Sequence, residues 1–364
     1  MKPLAATCWF VWSVSAAAVP PPDAQVLSRK LVVSGQGYFP VAIRLKDGRI
    51  AAVLRCGAPH LGVKGRLDVV FSSDDGVTWT KPTTVVDSPI DDRNPAFGQA
   101  TDGTLVVGFW RTARYDDSGK YTPNATDKPV TTWSTRSTDG GKSWEEPSEI
   151  DVREIGWGSP YGKIVTMPGG SLLMPVYGEQ PRSPGQTVKT AESWSYLFQS
   201  TDHGKTWRVY STVGEKKFNE TSVVLLRSGK MMAAMRSAAP EQAVWISEST
   251  NLGKSWSAPQ RHSPDRLHPA DLLELDDGRV LAVVGRRTGK LGVAAKVSDA
   301  NLSFDARNAF PLIDDATNTD CGYPSSVLLP GGRALTLYYA VGRKGEPAWG
   351  THCGAVTFKI PKAP

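Results

Sequence analysis

The chain of 364 residues is poor in cysteine, with four in all, and has only five histidines. Three thiols remain once Cys8, in an apolar N-terminal stretch, is set aside. Cys56, Cys321 and Cys353 are too few for a disulfide framework and leave room for one bond at most. There is no His-x-x-x-His, no cysteine pair at ligand spacing and no calcium-loop pattern, so no metal is expected. No glycine-rich loop is placed to cradle a phosphate, and no cofactor is expected. Beyond the N-terminus no apolar run reaches the ~18 residues of a membrane-crossing helix. The net charge is +6, but the basic residues are scattered and no basic run carries interleaved aromatics. Nucleic acid is therefore not an expected partner. What is abundant is glycine (35), proline (27) and tryptophan (12), with 40% hydrophobic residues. That is the composition of a globular chain of many short strands and many turns.

The first residues read as an address. Lys2 supplies a positive start, Leu4 to Val14 an apolar core, and Ala16-Ala17-Ala18 a small-residue cleavage site before Pro20-Pro21-Pro22. A signal peptide over residues 1–18 predicts a secreted or periplasmic protein with no membrane association after its removal.

Two repeats interleave along the remainder. One phrase occurs as Ser72-Ser73-Asp74-Asp75-Gly76-Val77-Thr78-Trp79 and again as Ser137-Thr138-Asp139-Gly140-Gly141-Lys142-Ser143-Trp144. It returns as Ser200 to Trp207 and Ser249 to Trp256, with a worn copy from Ser298 to Phe304. The chemistry is that of a hairpin turn: Asp or Asn bonds its own backbone, Gly takes positive φ, and Trp packs beneath. The other repeat is strand, two-residue turn, strand, at Tyr38–Arg55, Arg93–Arg111, Ser159–Tyr177, Asn219–Arg236, His268–Arg286 and Tyr323–Tyr339. Six such units of about 55 residues predict an all-β fold, a six-bladed β-propeller forming a single domain over residues 24–364.

The boxed phrase is the Asp-box, or BNR repeat, and six blades carrying it resemble the sialidase (neuraminidase) superfamily. The resemblance covers essentially the whole chain after the N-terminal address. It specifies the fold more strongly than the function, since Asp-boxes also occur in propellers without activity.

Strand direction locates a site. In each unit the first strand runs to the two-residue turn and the second returns, while the Asp-box joins strands three and four on that same turn face. Residues opening and closing each hairpin therefore meet on the opposite face. The openers include Tyr38, Asn94, His268 and Tyr323, and the closers Arg55, Arg111, Arg236, Arg286 and Tyr339. Arg55, Arg111, Arg236 and Arg286, from four blades, are expected to gather round an anionic group of a substrate. By the same placement Cys321 and Cys353, in blade six, are the favoured disulfide pair.

The resemblance implies roles. Asn219-Glu220-Thr221-Ser222 and Met235-Arg236-Ser237 resemble the sialidase stretch that supplies a catalytic Glu and a carboxylate-binding Arg. Gly322-Tyr323-Pro324-Ser325-Ser326 resembles the segment with the nucleophilic Tyr. A phenol is a poor nucleophile at neutral pH without a base, and Glu220 would be that base for Tyr323. The family's Arg-Ile-Pro is Tyr38-Phe39-Pro40 here, and its supporting acid falls at Tyr339. Lys290 stands at a third arginine position, with Arg286 or Arg287 as substitutes. The general acid falls at His60, with Asp68 and Asp92 as reserves.

These features together predict an exported glycan-active enzyme, a sialidase-like retaining glycoside hydrolase, working as a monomer on a glycan or glycoconjugate with an acidic sugar. The catalytic set is Tyr323, Glu220 and His60, and Arg55, Arg236, Arg111, Arg286, Tyr38, Asn94, His268 and Tyr339 bind substrate. The alternatives are a lyase acting on uronate-containing glycans and a propeller that binds glycans without chemistry.

Overall fold

The computed structural model describes residues 24–362 except 124, 126, 181–191, 306 and 307. The expected signal segment lies outside the described residues. The strands pair into six sheets, antiparallel but for one two-residue parallel pairing, that stand as blades round a central axis, the six-bladed β-propeller announced by the repeats. Blade one holds Tyr38–Arg44, Ile50–Cys56, Arg66–Ser72 and Thr83–Val86. Blade two holds Asp91–Gln99, Leu105–Thr112, Val130–Ser137 and Ser148–Ile150. Blade four holds Phe218–Leu225, Met231–Ser237, Val244–Ser249 and Gln260–Arg261, and blade five Leu267–Glu274, Val280–Arg286, Gly292–Val297 and Phe310–Ile313. Blade six joins Cys321–Leu329, Arg333–Val341 and Thr351–Lys359 to Gln25–Ser34, which pairs antiparallel with the last of these as the outermost strand. The ring is thus closed by the N-terminal strand.

Blade three departs from the pattern. Its inner strand is broken into Gly158–Pro160 and Val165–Thr166, both paired with Leu172–Gly178, and Gly162–Lys163 between them pairs parallel with blade two. The break sends Lys163 to the axis, where its ammonium meets both oxygens of Asp271 at 2.9 and 2.8 Å and the Ser326 carbonyl at 2.8 Å. The buried Asp271 also accepts the Ser326 N–H at 2.6 Å, so one ion pair ties blades three, five and six together beneath the site face.

The core lies between blades, in six clusters. Each second strand is buried on both sides, and the two-residue period of a strand decides which neighbour a side chain meets. Ile50, Ala52, Leu54 and Cys56 pack toward blade six, while Ala51 and Val53 pack toward blade two. The same rule corrects the expected disulfide. All three described cysteines are free and buried. Cys321 faces the core between blades five and six, whereas Cys353 faces the core between blades six and one, on the other side of its sheet.

The boxes make the turn they promise. Asp74 accepts the Thr78 N–H at 2.9 Å and the Thr78 hydroxyl at 2.6 Å, and Trp79 donates its indole N–H to the Gly76 carbonyl at 3.2 Å. Asp139 and Asp202 repeat the first two bonds. The worn copy keeps a bond from the Ser303 N–H to Asp299 at 2.8 Å. In the second box Gly141, at φ +91°, lies so close to blade one that a Cβ there would collide with the Phe71 ring. The box turns therefore also seat one blade on the next.

Candidate active site

A local irregularity aims the inner strands at the axis. The first strand of five blades shifts register against its partner, between Tyr38 and Val41, Arg93 and Ala96, Phe218 and Thr221, Leu267 and Ala270, and Gly322 and Ser325. Such bulges re-aim side chains. Three residues within them hold positive φ, Phe39 (53°), Asn94 (43°) and Tyr323 (49°), each just before a proline. That conformation costs a non-glycine residue roughly 1–2 kcal/mol, a cost that clusters at functional sites. At Gly322 (φ +101°) a Cβ would stand 2.8 Å from the Gly285 Cα, so blades five and six come together beside Tyr323 only because neither position has a side chain.

Tyr323 is buried and donates its hydroxyl proton to Glu220 Oε1 at 2.7 Å. Arg236 Nη1 donates to both Glu220 oxygens at 3.0 Å and to the Tyr323 oxygen at 3.3 Å. The Arg287 guanidinium lies over the Tyr323 ring, 5.2 Å from its centroid, and gives its Nε proton to the Cys321 carbonyl. Burial first, and the Glu220 charge second, push the Tyr323 phenol above its ordinary value, against the pull of Arg236 and Arg287. At rest Tyr323 is a neutral phenol with a carboxylate on its proton.

The wall opposite is aromatic. Tyr38, Phe39, Tyr161, Tyr323 and Tyr339 form one buried cluster with Tyr177 against it. Phe39 separates two polar groups, with the Tyr323 ring 4.7 Å away on one side and the His60 ring edge-on at 4.9 Å on the other. His60 Nδ1 meets Asp320 Oδ1 at 2.8 Å, and the Tyr339 hydroxyl donates to the same oxygen at 2.5 Å. Asn94 donates to Ser159 at 3.3 Å and to the Tyr177 hydroxyl at 3.2 Å. His268 is buried, and neither ring nitrogen has a partner among the described residues. Burial, then the charges of Arg236, Arg287 and Arg266, press its pKa down to about 2, so it stands neutral among cations.

A family model described as a BNR repeat-like domain matches residues 91–336. The chain belongs to the BNR repeat-like family. It is similar to a sialidase from Paraclostridium sordellii, 23% identical over 208 residues. That match takes in 51% of this chain and 48% of the relative, so it spans about half of the relative's length. Among solved structures, a Dyadobacter fermentans protein of unknown function superposes with a TM-score of 0.79 at 26% identity, over 93% of this chain and 100% of that one. The NanB sialidase of Streptococcus pneumoniae superposes with a TM-score of 0.66 at 13% identity, over 92% of this chain and 70% of that one, and so shares the fold.

In this sialidase-like BNR propeller the four expected arginines do not gather. Of the four, only Arg236 stands at Tyr323. Arg55 is fully buried: its side chain lies in the row that faces blade two, where it donates to Asp91 at 2.6 and 3.2 Å. Arg111 donates to the buried Asp92 at 2.8 Å and covers the Trp133 ring at 4.4 Å. Arg286 continues the row of Val280, Ala282 and Val284, which faces blade four, and it is Arg287, one residue on, that lies on Tyr323. Lys290 reaches Asp314 at 3.2 Å, away from Tyr323. The reserve acids are engaged elsewhere: Asp68 pairs with Arg66 and Asp92 with Arg111. Asp320 was missed, although it stands three residues before Tyr323. Asp91 was missed too, and a second acid directly before Asp92 was its signal.

Proposed function

We propose that this chain is a retaining glycoside hydrolase that acts on an acidic sugar. The observation that carries the reading is the Tyr323–Glu220 hydrogen bond of 2.7 Å, bridged by Arg236 on both partners. Glu220 draws the proton as Tyr323 attacks the anomeric carbon, and Arg236 faces the charge that develops on the phenol oxygen. Most glycosidases work with two carboxylates, but sialidases use a Tyr nucleophile, so the chemistry has precedent. His60 protonates the leaving oxygen.

The acidic group is inferred from buried donors that lack partners. Arg236 Nε and Arg287 Nη2 have none among the described residues, and neither has the single N–H of the neutral His268 ring. Buried polar groups of this kind ask for a ligand or water, and a carboxylate satisfies two guanidinium groups and an imidazole together. Tyr38 and Tyr339, aromatic where the sialidase pattern has an arginine and its supporting acid, favour an acidic sugar other than sialic acid. The N-terminal address supports a site of action outside the cytoplasm.

Tyr323→Phe keeps the ring and its packing and removes the nucleophile. Its turnover should fall by on the order of 10²–10⁴-fold on the substrate found by a released-monosaccharide panel of sialylated and uronate-rich glycans. A product with a new reducing end and no unsaturation supports the hydrolase. An unsaturated product would replace it with a lyase, and near-native turnover in the variant would end any role for the phenol.

A further inference from the structure

His60 is held by three neighbours that have no part in the Tyr323–Glu220 pair. Asp320 Oδ1 takes both the His60 Nδ1 contact at 2.8 Å and the Tyr339 hydroxyl at 2.5 Å. Burial would raise the Asp320 carboxyl, but the bonds from His60 and Tyr339 and the charge of Arg287 prevail and hold it below the usual carboxylate range. An ionised carboxylate only accepts. Tyr339, whose phenol burial pushes far above its ordinary value, must therefore donate, and so must His60 through Nδ1–H. The free nitrogen of His60 is then Nε2, in a ring about a third exposed.

The loop that bears His60 is fixed from below. Arg55 donates to the carbonyls of Ala58, Pro59 and Gly62 while its other contacts go to Asp91. The Gly62 N–H donates to the Tyr115 hydroxyl at 3.1 Å, and that hydroxyl donates in turn to Asp91. One buried arginine thus fills three carbonyls of a loop whose only ionisable side chain before Lys64 is His60.

We propose that Asp320 is the positioning residue that makes His60 the proton donor of this site, with Tyr339 steadying the carboxylate and Arg55 setting the loop. The proposal rests on the hydrolase reading for the step it serves. In that step the imidazolium Nε2–H bond breaks and its proton goes to the leaving oxygen. The bond from that oxygen to the anomeric carbon breaks with its pair on oxygen, and His60 is left neutral with Nδ1–H still on Asp320. The groups facing His60 are Asp320, Tyr339 and Tyr38, with Arg287 acting through Asp320.

Nitrogen-detected spectra of the five histidines in the full chain test this without turnover, with His60→Gln assigning the signal. Neutral His60 should carry its proton on Nδ1. In Asp320→Asn that preference should fall toward the tautomer mixture of an unheld ring, because an amide, unlike an ionised carboxylate, can donate as well as accept. Asp320→Glu should restore most of the preference, and kcat should follow it while KM holds. A neutral His60 protonated on Nε2, or a tautomer that Asp320→Asn leaves unchanged, overturns the proposal. If the spectra come out as expected and no glycan is cleaved, the hydrolase reading fails while the Asp320–His60 pairing stands. If glycan is cleaved with a kcat indifferent to Asp320, the pairing fails and the hydrolase reading stands.

Discussion

At the scale of the residue, the site turns on parity. Arg55, Arg236 and Arg286 each close a hairpin, yet the neighbour that each meets follows from whether it continues the row facing the previous blade or the next. Arg55 continues the row of Ala51 and Val53 and so reaches Asp91. Arg287 sits one residue out of step with Arg286 and reaches Tyr323. Buried groups that lose a partner are costly, so Arg55→Met should lower stability by roughly 2–4 kcal/mol, because Asp91 is left with Arg93 as its one counter-charge and the carbonyls of Ala58, Pro59 and Gly62 lose their donor. Urea unfolding measures this. A substrate ligand would behave oppositely, with KM rising and the unfolding midpoint unmoved, and that result would return Arg55 to the funnel. The sequence makes an arginine at a strand end visible. It does not show which blade the row of that arginine faces, and this is why Tyr323, Glu220 and Arg236 could be placed from motifs while Arg287 stood only as an alternative to Arg286 and Asp320 was not found.

At the scale of the element, the Asp-boxes were legible because their bonds are local. Asp74, Asp139 and Asp202 each bond a residue four positions on, so the phrase carries its own partners. The six hairpins were legible for the same reason, and blade three was misread where its partner is remote: nothing near Lys163 in sequence announces Asp271. The boxes also carry a pH signature. The side-chain bond from Thr78, then the backbone bond from the same residue, hold the Asp74 carboxyl down at about 2. An unfolded Asp titrates near 3.9. The folded value is the lower one, so this stabilisation is present above about pH 4 and lost as pH falls toward 2. The fourth box shows what remains without the charge: Asn251 still accepts the Ser255 N–H at 3.0 Å and turns its amide to the Ser255 hydroxyl at 2.8 Å. Asp74→Asn should therefore be less stable in urea than wild type at pH 7, show a flatter loss between about pH 4 and 2.5, and approach wild type toward pH 2. A variant that tracks the wild-type slope through that range would show that the boxes do not contribute to it.

At the scale of the whole molecule, six inter-blade cores make a ring, and a ring needs a closure. Gln25–Ser34 supplies it by pairing with Thr351–Lys359 from Gln25 opposite Lys359 to Ser34 opposite His352. This strand contributes little burial, since Val33 is its single buried residue, so its hold is backbone pairing and one side chain. Arg29 donates to Asp315 at 2.7 Å and to the Leu312 carbonyl at 3.1 Å, and Asp315 also takes Arg343 at 3.1 Å, which fastens the closing strand to the join between blades five and six. The strand it covers is buried at seven of nine positions. Removing residues 25–34 would leave that strand as a long, flat, apolar edge, a template for pairing with other chains. A chain beginning at Gly35 should lose several kcal/mol of stability in urea and sediment as a spread of larger species, whereas Arg29→Ala should sediment as the full-length chain does with a loss of about 1–3 kcal/mol. The site would suffer with the closure, because Tyr323 and Tyr339 belong to the blade that opens. A truncated chain that keeps the full-length sedimentation and unfolding midpoint would mean that blade six holds the ring with three strands alone.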